Sequence, residues 1–89
     1  MKTRLKKQIQ TRLHRIQGQL AGLSRLVERD TYCIDVITQT HAVKSALSAV
    51  ENIMLKNHLE THAAKQMRGR NRKRAVDEIL KVYELSHKQ

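Results

Sequence analysis

The fold is decided by one long stretch without Gly or Pro, residues 32–66, which reads YCIDVITQTHAVKSALSAVENIMLKNHLETHAAKQ. Its apolar residues, among them Val43, Leu47 and Val50, recur at the spacing of an amphipathic helix. We therefore predict one helix from Tyr32 to about Gln66. It would extend roughly 50 Å, whereas a compact chain of this size has a radius of gyration of about 12 Å. One chain cannot cover it, so we expect it to pair with its copy in a second subunit, in a two-fold antiparallel arrangement.

The segment before this helix is also amphipathic. An apolar stripe from Ile9 to Val27 predicts a helix from near Thr3 to Arg29. We expect the side chain of Asp30, which follows it, to cap the second helix by accepting hydrogen bonds from its free N–H groups.

The segment after the long helix changes character at its basic residues. Residues 65–74 carry six Lys and Arg around Gly69, which predicts a linker, and Val76, Ile79, Leu80 and Tyr83 mark a third helix that ends near Ser86. The chain has no Pro, Trp or Phe and three Gly, so strand-favouring aromatic residues and turn formers are scarce. We predict an all-α fold in a single domain, residues 1–89.

The chain is strongly basic, with 18 Lys and Arg against 8 Asp and Glu and a formal net charge of +10. Such a field favours a polyanionic partner, either nucleic acid or an anionic membrane surface. No apolar run approaches the roughly 20 residues of a membrane span, and the N-terminus lacks the apolar block of a signal peptide. We therefore expect a cytoplasmic protein that does not associate with membranes.

Two histidines one helical turn apart are candidate metal ligands. The pattern His58-Leu-Glu-Thr-His62 puts both imidazoles on one helical face, where they can hold one ion. Solvated helix faces also carry His at this spacing. The pattern is not the zinc-protease signature, because Glu60 is the third of the five residues and not the second. We expect no catalytic residues and no enzyme activity.

Cys33 is the natural third ligand. As the only cysteine it cannot form an internal disulfide, so it is a buried hydrophobe, a reactive thiol or a metal ligand. It lies 25 residues before His58, or about 37 Å along one continuous helix. One chain cannot form the site, but in an antiparallel pair of helices Cys33 of one subunit meets His58 and His62 of the other.

Two further residues could surround such a site. Tyr32 adjoins Cys33, and Glu78 lies near Ile79 on the inner side of the third predicted helix. A hydrogen-bonding side chain beside a ligand can fix its orientation. Without other information, packing explains Tyr32 better and solvation explains Glu78 better.

The first predicted helix is the candidate nucleic-acid surface, because it carries many basic residues and a single acid, Glu28. Such a face can neutralise phosphates. Neither junction looks like the turn of a helix-turn-helix motif, and the stacking aromatics of RNA modules are missing. We expect duplex DNA as the partner, and the candidate contacts are Lys6, Lys7, Arg12 and Arg15.

Three motifs together cover nearly the whole chain: RLHRIQGQ at residues 12–19, DTYCIDV at residues 30–36 followed by Gln39, and NHLETH at residues 57–62. They resemble the copper-sensing repressor family, which also contains nickel/cobalt, formaldehyde and persulfide sensors. The offsets from Cys33 to His58 and His62 match the family's ligand spacing.

The resemblance implies a three-helix subunit, a dimer with an antiparallel four-helix-bundle core, and a tetramer built as a dimer of dimers. It implies a repressor whose metal-free form binds operator DNA, and whose metal-bound form releases it so that an efflux or detoxification gene is expressed. Tyr32 and Glu78 match positions around the metal of copper sensors. Arg12 and neighbouring basic residues match positions implicated in DNA contact.

The inducing metal is less directly indicated. Copper sensors usually carry Cys where this chain has His62, whereas nickel/cobalt sensors have His there but add an N-terminal His that would fall near Met1. Persulfide sensing needs a second cysteine, and formaldehyde sensors carry Pro where this chain has Lys2. One thiolate and two imidazoles suit Cu(I), but also Zn(II) or Co(II) completed by water. Tyr32 and Glu78 favour Cu(I), with Ni(II), Co(II) and Zn(II) as alternatives.

Three other functions are also compatible with these residues. One is a nickel/cobalt-responsive repressor of the same family. Another is a nucleoid or RNA-binding protein whose DNA affinity is indifferent to metal, and a third is a metal chaperone or zinc-stabilised module that does not bind DNA selectively.

Overall fold

The computed structural model describes residues 1–87, and the regular elements in that part of the chain are all helices, without strands. Its elements are α1 (Thr3–Glu28), α2 (Cys33–His58), a π-helix (Leu59–Ala63), α3 (Ala64–Met67) and α4 (Arg72–His87). The chain divides into two compact units, Met1–Ile53 and Met54–Gln89. The prediction of an all-α fold is confirmed. No described helix is long and apolar enough to span a bilayer.

The core of the first unit is small and aliphatic. Ile9 and Ile16 of α1 and Val43 and Val50 of α2 are buried together. In each helix the two buried residues are seven positions apart, so they lie on one face. Three partly buried residues pack against them, Leu5, Ala46 and Ile53. Some residues of the predicted apolar stripes therefore form the core, whereas others do not.

Several other stripe residues are exposed on the surface of the single chain. Leu13 is 39% exposed, Leu20 48% and Leu47 42%. A chain of this size that buries so few side chains commonly depends on oligomerisation for stability. The exposed part of the stripes is the kind of surface that the predicted pairing of subunits requires.

Asp30 ends α1 and does not begin α2. Its φ is +55°, and its N–H donates to the carbonyl of Val27 at 3.1 Å while the N–H of Thr31 donates to that of Leu26 at 3.0 Å. These two bonds form a Schellman motif, the usual C-terminal stop of a helix. The predicted capping of the second helix by Asp30 was wrong, because α2 begins only at Cys33.

The left-handed backbone at Asp30 predicts that Gly fits this position better than Ala. Gly adopts a left-handed conformation without steric cost, whereas an L side chain costs about 1 kcal/mol there. We expect Asp30→Gly to exceed Asp30→Ala by about 1 kcal/mol in the free energy of unfolding, measured by denaturant titration at fixed protein concentration. At the exposed residue Ser24, inside α1, Ser24→Gly should instead be less stable than Ser24→Ala. If Ala were the more stable variant at both positions, the helix stop assigned to Asp30 would be contradicted.

The long helix predicted over residues 32–66 is present with one interruption in its hydrogen bonding. α2 ends at His58, the π-helix follows, and α3 continues to Met67. The backbone angles of His58, Ala63 and Ala64 at these junctions are all right-handed helical, so the chain remains helical throughout. The predicted boundary near Gln66 is close to the observed end. The π-helix could not be predicted, because it is a change of hydrogen-bond partner and needs no special residue type.

The linker predicted over residues 65–74 was too long. Lys65 lies in α3 and α4 begins at Arg72, so the turn comprises residues 68–71 only. Lys and Arg are good helix formers, and a run of positive charge does not by itself end a helix. The N–H of Gly69 donates to the carbonyl of Gln66 at 3.1 Å and closes the start of the turn.

Among the described residues of the second unit, the two that are buried are alanines. Ala63 of the π-helix is 2% exposed and Ala75 of α4 is fully buried. The predicted apolar face of α4 is only partly covered within the chain, since Leu80 is 52% exposed and Tyr83 59%. α4 ends at His87, one residue beyond the predicted end.

Candidate functional site

The second unit brings His58 and His62 together. Their ring centroids are 5.5 Å apart and the ring planes are inclined by 36°. His58 is the last residue of α2, and His62 lies one turn further on, in the π-helix. π-helical turns inside α-helices occur frequently at functional sites. Two neighbouring imidazoles can offer one nitrogen each to a single metal ion.

Glu78 of α4 lies beside this histidine pair. Its Oε2 is 3.7 Å from Nε2 of His58, and its Oε1 accepts a hydrogen bond from Nε of Arg74 at 3.1 Å. Arg74 and Glu78 are four residues apart on one helix, a spacing that favours such a pair. The carboxylate is therefore held on one side by Arg74, and its other oxygen faces His58. A carboxylate in this position can orient a ligating imidazole, so solvation alone does not describe Glu78.

Arg74 is the residue that sequence reasoning missed. The linker predicted over residues 65–74 includes it, and a side chain in a linker has no fixed neighbour. Its spacing of four residues from Glu78 is the sequence feature that indicates this pair. That spacing brings the two side chains together only in a helix, and the helix α4 begins at Arg72.

Cys33 and Tyr32 belong to the first unit, where α2 begins. Cys33 is an exposed free thiol and the first residue of α2. The carbonyl of Tyr32 accepts hydrogen bonds from the N–H groups of Asp35 and Val36, at 3.0 and 3.3 Å, but its side chain is 69% exposed. Neither the Cys33 nor the Tyr32 side chain is therefore packed in the interior of the chain. Within residues 1–87 of one chain, no group of three or more His, Cys, Asp or Glu could hold a metal ion.

The four predicted DNA contacts all lie on α1. Lys6, Lys7 and Arg15 are exposed and Arg12 is half-buried. A shallow cleft on this helix is lined by Lys7, Gln10, Thr11, His14 and Arg15. Exposed cations beside hydrogen-bonding side chains are the groups that proteins use against the DNA backbone.

A helical chain with two paired imidazoles and a basic surface helix has the features of a metal-responsive DNA-binding protein. Its sequence matches the family described as metal-sensitive transcriptional repressors over residues 5–84. The chain belongs to this family, and the resemblance found in its motifs is confirmed.

Several relatives are copper sensors. The chain is 36% identical to the copper-sensing transcriptional repressor CsoR of Bacillus subtilis over 78 residues, which is 88% of this chain and 77% of the relative. It is 43% identical to CsoR of Mycobacterium ulcerans over 70 residues, 78% of this chain and 59% of that longer protein. Both relatives are named as transcriptional repressors.

A solved structure shares the fold. The crystal structure of the copper-sensing repressor CsoR with Cu(I) from Geobacillus thermodenitrificans matches with a TM-score of 0.91 at 31% sequence identity. The match covers 99% of this chain and 92% of that one. Fold and family therefore agree over nearly the whole chain.

Proposed function

We propose that this protein is a copper-responsive transcriptional repressor, whose metal-free form binds operator DNA and whose Cu(I)-bound form releases it. The observation that carries the proposal is the pair His58 and His62, with ring centroids 5.5 Å apart, in a chain whose relatives are copper-sensing repressors. In this proposal residues 1–89 act as one metal-sensing, DNA-binding domain.

The donor set fits Cu(I). Two imidazoles fill two coordination positions, and the exposed thiol of Cys33 is the soft ligand that Cu(I) prefers. Ni(II), Co(II) and Zn(II) would need further nitrogen, oxygen or water ligands to complete their shells. Nickel/cobalt response is therefore the second candidate, favoured only by the imidazole of His62 where copper sensors usually carry a thiol.

The site would be shared between subunits. Cys33 is the first residue and His58 the last residue of α2, a helix of 26 residues that is about 39 Å long at the usual helical rise. Two antiparallel copies of α2 would place the start of one beside the end of the other, and would form two equivalent sites per dimer. The exposed apolar residues of α1 and α2 supply surface for such a dimer, and two dimers would form the tetramer.

Glu78 and Tyr32 would support the metal ligands. Because Nε2 of His58 lies 3.7 Å from Oε2 of Glu78, Nδ1 would be the ring nitrogen available to a metal. Because Arg74 also holds Glu78, a change in the position of His58 would be transmitted to α4 through Glu78. The bound ion would join the subunits at Cys33, His58 and His62, and the oligomer would move away from the shape that fits DNA. Release then requires a coupling free energy between the two sites, typically about 1–3 kcal/mol.

The proposal is tested by measuring operator affinity in parallel titrations with Cu(I), Ni(II), Co(II) and Zn(II). Fluorescence anisotropy of a labelled duplex from upstream of the regulated gene should show that Cu(I) weakens binding by roughly 5- to 150-fold. A larger effect of Ni(II) or Co(II) would favour the second candidate. Duplex binding that no metal changes would indicate a nucleoid protein, and RNA bound in preference to duplex would indicate an RNA-binding protein.

A further inference from the structure

A dense group of cations, which we call the basic turn, surrounds the end of α3 and the start of α4. It comprises residues 65–74, KQMRGRNRKR, in which six residues are Lys or Arg and none is acidic. All six are exposed, and they are Lys65, Arg68, Arg70, Arg72, Lys73 and Arg74. One third of the Lys and Arg residues of the chain thus lie in ten positions.

The fold concentrates this charge and leaves most of it unpaired. The turn at residues 68–71 reverses the chain between α3 and α4, and a cleft beside it is lined by Arg70, Asn71, Lys73 and Arg74 together with Asp77, Glu78 and Lys81. Of the six cations, only Arg74 forms an ion pair within residues 1–87, with Glu78. The other five cations form no ion pair in the described chain.

The arrangement is unfavourable for the helix that carries it. The first turn of α4 consists of Arg72, Lys73 and Arg74, and this turn has no acidic residue. The N-terminus of a helix is the positive end of its dipole, so cations there are destabilising. Mutual repulsion among the six charges adds to this effect. A polyanion bound at the basic turn would remove both penalties.

We propose that the basic turn is a second DNA-contacting surface, which binds backbone phosphates in addition to the contacts predicted on α1. This inference rests on the proposed function, because operator DNA is then the polyanion that the protein meets. Duplex DNA carries one negative charge per about 1.7 Å of helix axis, which is dense enough to engage several of these cations at once. The segment has no aromatic residue to stack on unpaired bases, so its chemistry fits the duplex backbone better than single strands.

The test uses the full-length metal-free protein and operator duplex over a range of salt concentrations. Arg70→Gln/Lys73→Gln removes two exposed charges and avoids Arg74, which contacts Glu78. We expect the slope of log K against log salt to become shallower by about 0.9 for each phosphate that the variant no longer neutralises. Affinity at physiological salt should fall at least tenfold, while the helical circular dichroism and oligomer size stay at wild-type values.

Two controls separate a local contact from a general charge effect. Arg70→Lys keeps the charge and should retain most of the affinity, whereas Arg70→Gln should not. Lys56→Gln removes the same charge from an exposed lysine outside the basic turn and should leave the salt slope unchanged. An equal reduction of the slope in Lys56→Gln and Arg70→Gln would overturn the proposal, because it would reflect net charge alone.

The outcomes also distinguish this inference from the proposed function. Wild-type protein that fails to bind operator duplex, or binds it without any response to metal, would refute the repressor itself. Wild-type protein that binds and is released by Cu(I), together with an unchanged salt slope in Arg70→Gln/Lys73→Gln, would refute only the basic turn. The same refutation follows if this variant loses binding to phosphatidylglycerol vesicles or single-stranded RNA and keeps its wild-type operator slope.

Discussion

Cys33→Ala should abolish the release of operator DNA by Cu(I) and leave the DNA affinity of the metal-free protein within about twofold of wild type. Its thiol is exposed and is the only soft sulfur ligand that the chain offers besides methionine. Without it, the two imidazoles from one chain lack the soft thiolate that selects Cu(I), and an ion held by them alone would not join the two subunits. Anisotropy with and without Cu(I) measures both effects. A normal Cu(I) response in Cys33→Ala would remove this residue from the proposed site.

The same variant tests whether the site is shared between subunits. Mixed with His58→Ala chains, Cys33→Ala chains form heterodimers in which one of the two sites has all its ligands. Statistical pairing makes about half of the dimers mixed, so about one quarter of the wild-type Cu(I) capacity should return. As a matched control, Cys33→Ala mixed with the double variant Cys33→Ala/His58→Ala contains no intact site in any pairing and should recover none. Equal recovery in the two mixtures would exclude the shared geometry.

Lys7→Gln/Arg15→Gln should weaken operator binding by the metal-free protein about 10- to 100-fold. Both residues are exposed on α1 and line the same cleft. Each phosphate that is no longer neutralised reduces the salt slope by about 0.9, and oligomer symmetry repeats the reduction in every subunit that contacts the duplex. The measurement is the operator affinity at several salt concentrations.

The control for these α1 contacts removes two charges elsewhere. Lys44→Gln/Lys56→Gln lowers the net charge equally but changes two exposed lysines of α2, outside both the cleft on α1 and the cleft beside the basic turn. It should retain operator affinity within a few fold. If the two double variants were equally impaired, α1 would not be the specific contact surface. If neither were impaired, phosphate contacts would have to come from other residues.

The metal response of Lys7→Gln/Arg15→Gln distinguishes the two functions of the protein. These residues lie on α1 in the first unit, whereas His58 and His62 belong to the second, so the Cu(I) stoichiometry of the variant should match wild type. A variant that binds Cu(I) normally but binds operator poorly would show that the metal site and the DNA surface can be separated. Parallel loss of both properties would indicate a folding defect instead.

Periodicity and spacing by themselves determined much of this protein. The stripe from Ile9 to Val27 predicted α1 closely, and the absence of Gly and Pro over residues 32–66 predicted a helical path that continues to Met67. The spacing of four residues placed His58 and His62 on one face, where their rings are neighbours. These properties are local, because they depend only on the repeat of the α-helix.

Only the tertiary structure decided the features that depend on residues distant in sequence or on a backbone choice. Asp30 has the side chain of a helix cap, but its left-handed backbone makes it a helix stop. The stripes did not show that Ile9 would be buried and Leu20 half exposed, because burial depends on which helix covers each turn. Glu78 lies beside His58 because the turn at residues 68–71 reverses the chain between α3 and α4. The helical repeat does not relate residues on opposite sides of a turn, so periodicity could not predict this contact.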